Sequence, residues 1–338
     1  MTINVQSRRA PESARTWGGY IRTTLDELGS DAPMRMWNGL KVLVTGARGF
    51  FGSHAVTRAK EYGAQVYALA RQADSGDREV RWLSGDLTDP KAVLALVDQV
   101  RPDVVFHLAG QTIGAPGKEF VLPSFRNNLA ATVNVLLALA EVGCRRVVVT
   151  GSGEEPRSEN GEVVAISPYG ASKGAEVIYA RMFHALYRLP VVIVRPFITY
   201  GPRQRPSKLV PSLTLSLIRG ESPTVSQPDR EADWIYIDDV IDGIVAAGEV
   251  PGAEGGTIEL GSGDLVSIRE IAEQLRQIID GNAAVRYVKS ERSVGMHGRH
   301  AELEIARRLL DWHPKTSLHQ GLVQTVAWYR SRLDSCPE

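Results

Sequence analysis

Tyr169 and Lys173 stand four residues apart in the stretch SPYGASK, so on a helix they share one face, with Ser167 and Pro168 placed to start it. An ammonium beside a phenol stabilises phenolate. That lowers the tyrosine pKa towards working pH and makes Tyr169 a usable acid or base for a hydroxyl that becomes a ketone. Ser152, in TGSGEE, stands just past a preceding strand, where its hydroxyl can hydrogen-bond the same oxygen. A Tyr-x-x-x-Lys pair is frequent by chance as an ordinary helix-surface pair. Its chemical weight comes from the elements that place it.

The first of those elements is Lys41 to Gly52, KVLVTGARGFFG. Val42, Leu43 and Val44 form an uninterrupted apolar run, as expected of a parallel strand buried on both faces. Gly46, Gly49 and Gly52 follow with G-x-x-G-x-x-G spacing, and Ser53 to Tyr62 has helical composition. Strand, glycine turn and helix together make a dinucleotide site: glycine lets the backbone approach a pyrophosphate, and the helix N-terminus offers free N–H groups to it. Without that context the glycines would be only a tight loop.

Further βα units follow. Gln65 to Ala70 reads as a second strand, and its end is where such folds choose between cofactors. An acidic residue there would bind a ribose 2′-hydroxyl, but Arg71 follows Ala70, which favours a 2′-phosphate and hence NADP, with NAD as the alternative. Arg48 could add a second cation, or both arginines could be merely solvated. Val80 to Leu83 is a third strand, and Asp86 after it stands either beside an adenine or as a helix N-cap. Lys91 to Val100 is an amphipathic helix, Asp103 to Ala109 a fourth strand, Asn128 to Val142 an apolar helix and Arg146 to Thr150 a fifth strand. His107 reads as a core or strand-end histidine. This alternation specifies a doubly wound parallel sheet.

Bulk properties bound the rest. In 338 residues, 43% are hydrophobic, enough for one large α/β domain or a domain plus a smaller lobe. Lys+Arg and Asp+Glu both number 39, so no nucleic-acid or anionic-membrane surface is expected. Cys144 and Cys336 form no framework or metal spacing, and no apolar run is long enough to span a bilayer, which suggests a cytoplasmic setting. The polar start lacks the apolar core of a signal peptide. Tyr20, Ile21, Leu25 and Leu28 are spaced like one face of a short helix, so residues 1–39 are expected to form a helical extension, either floppy or packed on the main domain or a partner.

Residues 40–195 then make the Rossmann domain and 196–338 mostly a substrate-binding lobe, interleaved with the last sheet elements. Pro190 to Pro196 is a sixth strand, Ser207 to Gly220 an apolar helix over a ligand, Trp234 to Ile237 and Gly256 to Leu260 further strands, and Val285 to Val288 an edge strand. Asp238 and Asp239 are expected to cap a helix rather than bind metal. Ser267 and Glu270 form a capping box for a helix to Ile279.

With these residues in view, the chain from about Leu40 onward resembles an extended short-chain dehydrogenase/reductase of the nucleotide-sugar epimerase, dehydratase and 4-keto-reductase type. GARGFFG, Gly85-Asp86-Leu87, HLAG at His107 to Gly110, NLAATVNVL around Asn128, YGASK, RPFITYGP from Arg195, ADWIYIDDV from Ala232 and LLDWHPKTSLHQGL from Leu309 carry the resemblance. It implies a seven-stranded α/β Rossmann sheet, a small α/β C-terminal lobe and a homodimer formed through two helices of each subunit. It assigns Ser152 to hold the substrate oxygen, Tyr169 to acid/base work, and Lys173 to the ribose and the tyrosine pKa. Gly46, Arg48, Gly49, Phe50, Phe51, Gly52, Arg71, Asp86, Leu87, Leu108, Ala109, Gly110 and Asn128 would line the cofactor with Tyr169 and Lys173.

Glu154 sits where 4,6-dehydratases keep a glutamate base, although Gly153 replaces the acid some of them carry and a loop-surface role is the alternative. Ile198 and Ala232 replace an asparagine and an arginine that bind the substrate diphosphate. Arg292 matches a third phosphate-binding position, and Arg230 or Arg299 could compensate for the arginine lost. The segment from Ser152 to Tyr169 is short, with Pro156-Arg157 where the family has Tyr-Gly. The reaction expected is hydride transfer at C4 of a nucleotide-linked hexose. Net 4-keto reduction by exchangeable NADPH leads, with 4-epimerisation or 4,6-dehydration on retained NAD, or a non-catalytic NADP-binding scaffold, as alternatives.

Overall fold

The computed structural model describes residues 37–73, 77–156, 158–159, 162–281, 283–288 and 298–335. Five apolar runs become β1 (Lys41–Thr45), β2 (Gln65–Ala70), β3 (Arg81–Ser84), β4 (Val104–His107) and β5 (Arg146–Thr150), with α1 (Phe50–Glu61), α2 (Pro90–Val100) and α3 (Ala131–Val142) between them. A hairpin of β6 (Ser158–Glu159) and β7 (Glu162–Val163) precedes α4 (Pro168–Tyr187) and β8 (Val191–Pro196). Then come β9 (Ile198–Tyr200), α5 (Leu209–Ile218), β10 (Thr224–Ser226), β11 (Glu231–Tyr236), α6 (Ile237–Glu249) and β12 (Thr257–Leu260). The chain continues with β13 (Leu265–Ser267), α7 (Ile268–Ile279), β14 (Arg286–Val288), α8 (Glu304–Leu310) and α9 (Leu318–Ser335).

The main sheet has seven strands in the order β12-β8-β5-β4-β1-β2-β3, all parallel. Alternate residues of each central strand feed opposite faces. Val42, Val44, Phe106 and Val148 enter one core, while Leu43, Val105, Val147 and Val149 enter the other. Strand order reverses between β1 and β4, so a crevice opens beyond their carboxyl ends, the place where open α/β sheets bind ligands. The glycine turn, Leu108 to Gly110 and the Ser152 loop all follow carboxyl ends of neighbouring strands.

The second half adds a three-stranded sheet, β13-β11-β9, and a parallel pair, β10 with β14. β11 starts earlier than expected, at Glu231, and the helix takes over at Ile237. Asp233 explains the early start: buried completely, it accepts from the Ser262 N–H and hydroxyl, Gly263 N–H and Ala301 N–H, pinning two loops to the strand. The capping box at Ser267 and Glu270 is present as expected. The expected capping by Asp238 and Asp239 is not: α6 has no side-chain cap, Asp239 instead accepts from Lys315 N–H and Thr316 N–H, and Asp238 faces His54.

Residues 1–36 of the expected extension lie outside the described residues, whereas Trp37 is buried against Phe106 and Tyr62. Arg292 and Cys336 also lie outside them.

Candidate active site

Three loop ends and one helix build the site. Ser167 caps α4, its hydroxyl accepting from Gly170 N–H at 3.0 Å, and Pro168 occupies the first turn. Gly170 is required because a Cβ there would lie 2.6 Å from Glu154 O, so the helix start seats directly on the Ser152 loop. Tyr169 and Lys173 face inward, both buried, and the Tyr169 phenol shares a hydrogen bond with Ser152, whose hydroxyl also accepts from Glu154 N–H at 3.1 Å. Lys173 Nζ donates to Thr150 O at 2.8 Å and to Glu176 Oε2 at 3.1 Å. The expected trio is therefore assembled.

Its electrostatics differ from the expectation in one respect. Tyr169 is not brought below its ordinary pKa: burial pushes it up, while Lys173 and Ser152 pull against burial, and Glu154 and Glu176 add to the rise. Helical spacing alone could not show that a carboxylate shares the lysine. Lys173 itself is held charged: burial opposes its ammonium most, but Glu176, Tyr169 and Glu155 together outweigh it.

The glycine turn is shaped as a dinucleotide cradle. Gly46 has φ +66°, and a Cβ there would lie 2.7 Å from Ala109 Cα; one on Gly52 would lie 2.1 Å from Gly46 O. The turn thus packs against both the β4 loop and its own helix, which starts at Phe50 behind the cap Gly49 with no side-chain cap on its first-turn N–H groups. Phe50 and Phe51 pack partly buried behind it. Asn128 is fully buried: its Oδ1 accepts from Gln111 N–H at 2.6 Å and its amide donates to Gln111 O and Ser172 Oγ. It thereby holds the loop after Gly110 to α4. The expected helix from Asn128 begins earlier, with a π-helical run Phe125–Ala130, and such a bulge is a common way to turn one side chain inward at a site.

At the far end of the crevice, Arg48 and Arg71 are exposed, with no hydrogen bond or ion pair from either guanidinium among the described residues. Asp86 is no helix cap: Asp89 caps α2, and Asp86 accepts from Thr88 N–H and hydroxyl, held below the usual carboxylate range by Thr88 and, less, by Arg71. Leu87 and Leu108 pack partly buried against opposite cores, and Ala109 N–H donates to Thr45 Oγ1 at 3.2 Å. A glycine cradle, free helix-end amides and two unpaired guanidinia are the donor set a dinucleotide needs.

The crevice wall around Glu154 is charged. Glu154 sits against Gly114, its carboxyl pushed up by burial and pulled back by Arg230 and Lys208. Arg230 Nε and Arg299 Nη2 are buried without a hydrogen-bond partner among the described residues, and Arg299 Nη1 reaches Gly153 O at 3.4 Å. Residues not foreseen also shape the loop. Glu155 accepts from Ser152 N–H at 2.6 Å and from Arg195 Nη2 at 2.5 Å, while Arg195 Nη1 donates to Glu259 Oε1 at 2.9 Å. A Cβ on Gly151 would lie 2.1 Å from Glu155 Oε1, so this glycine admits the carboxylate. The signal was visible as a second glutamate after Ser152, but its partner Arg195 lies on β8 and Arg195's second carboxylate, Glu259, on β12.

Residues 42–261 match the family model described as the NAD dependent epimerase/dehydratase family. A UDP-glucose 4-epimerase of Mycolicibacterium smegmatis is 28% identical, with 87% of this chain and 99% of that protein aligned. A UDP-glucose 4-epimerase from Thermotoga maritima, solved with UDP-glucose, is similar with a TM-score of 0.79 at 25% identity, covering 87% of this chain and 100% of that one. A UDP-glucuronic acid 4-epimerase from Bacillus cereus, solved with UDP-glucuronic acid and NAD, gives a TM-score of 0.76 at 26% identity over 87% of this chain and 100% of that one. A Rossmann sheet with Ser152, Tyr169 and Lys173 at its switch point, matched across most of its length, places this chain in the NAD-dependent epimerase/dehydratase family of enzymes that act on nucleotide sugars.

Proposed function

We propose that the chain is a 4-epimerase of a UDP-linked hexose, working on a dinucleotide that it retains. The observation that carries this reading is the buried Ser152–Tyr169–Lys173 trio beside the glycine cradle, in a chain whose full-length relatives named above are 4-epimerases. The net 4-keto reduction expected first from the sequence finds no support among those relatives.

Bound in the cradle, the dinucleotide would supply a hydride acceptor and donor. Ser152 would hold the C4 oxygen and Tyr169 would take its proton as the ketone forms, returning it after the sugar has presented its other face. Lys173 favours the phenolate that this needs. Arg230 and Arg299, with unpartnered buried nitrogens, suit a diphosphate and stand in for the arginine absent at Ala232. Arg48 and Arg71 support NADP over NAD, and an NADPH-consuming reductase is the second reading that this observation favours.

The two readings part on one experiment. Purified, dialysed protein is denatured and its released nucleotide identified by mass spectrometry, and turnover of UDP-glucose and UDP-glucuronate is followed without added cofactor. Retained dinucleotide and cofactor-independent turnover support epimerisation; an empty protein that oxidises added NADPH with a 4-keto-sugar supports reduction. The apolar residues Val121, Leu122 and Phe125, with Ile178, Leu186 and Tyr187 on α4, are exposed and would be covered by a second copy of the chain. Sedimentation as a monomer at micromolar concentration would exclude that dimer.

A further inference from the structure

Glu176 takes no part in the mechanism above, yet it is fully buried, three residues beyond Lys173 on the floor of the site. Its Oε2 accepts from Lys173 Nζ at 3.1 Å and from Thr132 Oγ1 at 3.0 Å, and its Oε1 has no partner among the described residues. Thr132 has one hydrogen, given to Glu176, so it must accept from His107 Nε2, 3.0 Å away. His107 is neutral, held down to about 3 by burial and by Lys173, so its Nδ1 is bare and accepts from Thr45 Oγ1 at 2.9 Å. Thr45 in turn accepts from Ala109 N–H. Every hydrogen in this chain points one way, from the loop beside the glycine turn to the carboxylate.

We infer that Glu176 is the positioning residue of the site: its carboxylate holds the Lys173 ammonium in place and, through Thr132, His107 and Thr45, ties that ammonium to the dinucleotide turn. This rests on the reading of Tyr169 and Lys173 as the acid/base pair. The groups facing Glu176 are Lys173 and Tyr169 on its own helix, Thr132 on α3, His107 on β4 and Glu155 after β5. Burial pushes the Glu176 carboxyl up, and Lys173 and Thr132 pull against it. As a counter-charge to Lys173, Glu176 works against the phenolate of Tyr169. It keeps the lysine placed and charged, while its own charge opposes the phenolate that Lys173 favours.

Two measurements test this without relying on turnover. In the unmodified full chain labelled with ¹⁵N-histidine, long-range ¹H–¹⁵N spectra should show His107 neutral with its proton on Nε2; a proton on Nδ1 would overturn the directed chain. In Glu176→Gln, ¹³C-tyrosine spectra should show Tyr169, assigned through Tyr169→Phe, titrating about one pH unit lower than in the parent, because a buried negative charge nearby has gone. An unmoved Tyr169 would overturn the counter-charge, even if turnover fell. If Glu176→Gln does not fold, the histidine spectrum of the parent decides. Should the parent epimerise sugars while either spectrum contradicts the inference, Glu176's role fails alone; should both spectra agree while no sugar is turned over, the functional reading fails alone.

Discussion

The two sides of the crevice are built from different materials. The side with the glycine turn is backbone: Gly46 at positive φ, Gly52 against Gly46 O, and helix-end amides from Phe50 on. The opposite side is side chains: Glu155 paired with Arg195, Glu154 under the charges of Arg230 and Lys208, and Arg230 and Arg299 each with a buried nitrogen unpartnered among the described residues. A backbone cradle tolerates few sequences and serves one ligand class. A side-chain wall can be rewired one residue at a time, which is why family membership leaves the sugar open.

Substitutions can sharpen that contrast. The largest effect is expected where the two sides meet: Tyr169→Phe should lower turnover roughly 10²- to 10⁴-fold with dinucleotide affinity almost unchanged, read by steady-state kinetics and a binding titration. Comparable loss of both would mean the phenol is structural. Next, Arg230→Ala should raise the KM for a UDP-hexose about tenfold or more, while dinucleotide affinity stays put. An effect on the dinucleotide alone would break the assignment of sides. Smaller still, Arg71→Asp should move the NADP-to-NAD affinity ratio about tenfold towards NAD, measured by competition binding. No change would return Arg71 to a solvated surface residue.

The same contrast decides what could be read from sequence. Gly46, Gly49, Gly52, Tyr169 and Lys173 are local patterns whose spacing fixes their geometry, so the strand, the turn and the Tyr169–Lys173 helix stood out. Ser152 needed only its position after β5. Glu155 could not be interpreted because its partner Arg195, and Arg195's other partner Glu259, come from distant strands that meet only in the folded sheet. Asn128 was placed at the cofactor, but its buried ties to Gln111 and Ser172 depend on a π turn that no helical period reveals. The Tyr169 pKa went in the other direction from the expected one for a related reason. The burial that raises it most, and that gives force to the Glu176 charge three residues beyond Lys173, appears only in the fold.

The central claim is that Ser152, Tyr169 and Lys173 move a proton at C4 of a UDP-hexose while hydride is kept within the enzyme. Proton NMR of UDP-glucose or UDP-glucuronate incubated with the purified protein in deuterated water tests it most directly. The account predicts that the C4 epimer appears with hydrogen, not deuterium, at C4 and with no net change in reduced-nicotinamide absorbance. Conversion that consumes NADPH mole for mole, or an unchanged sugar with either substrate, would contradict it.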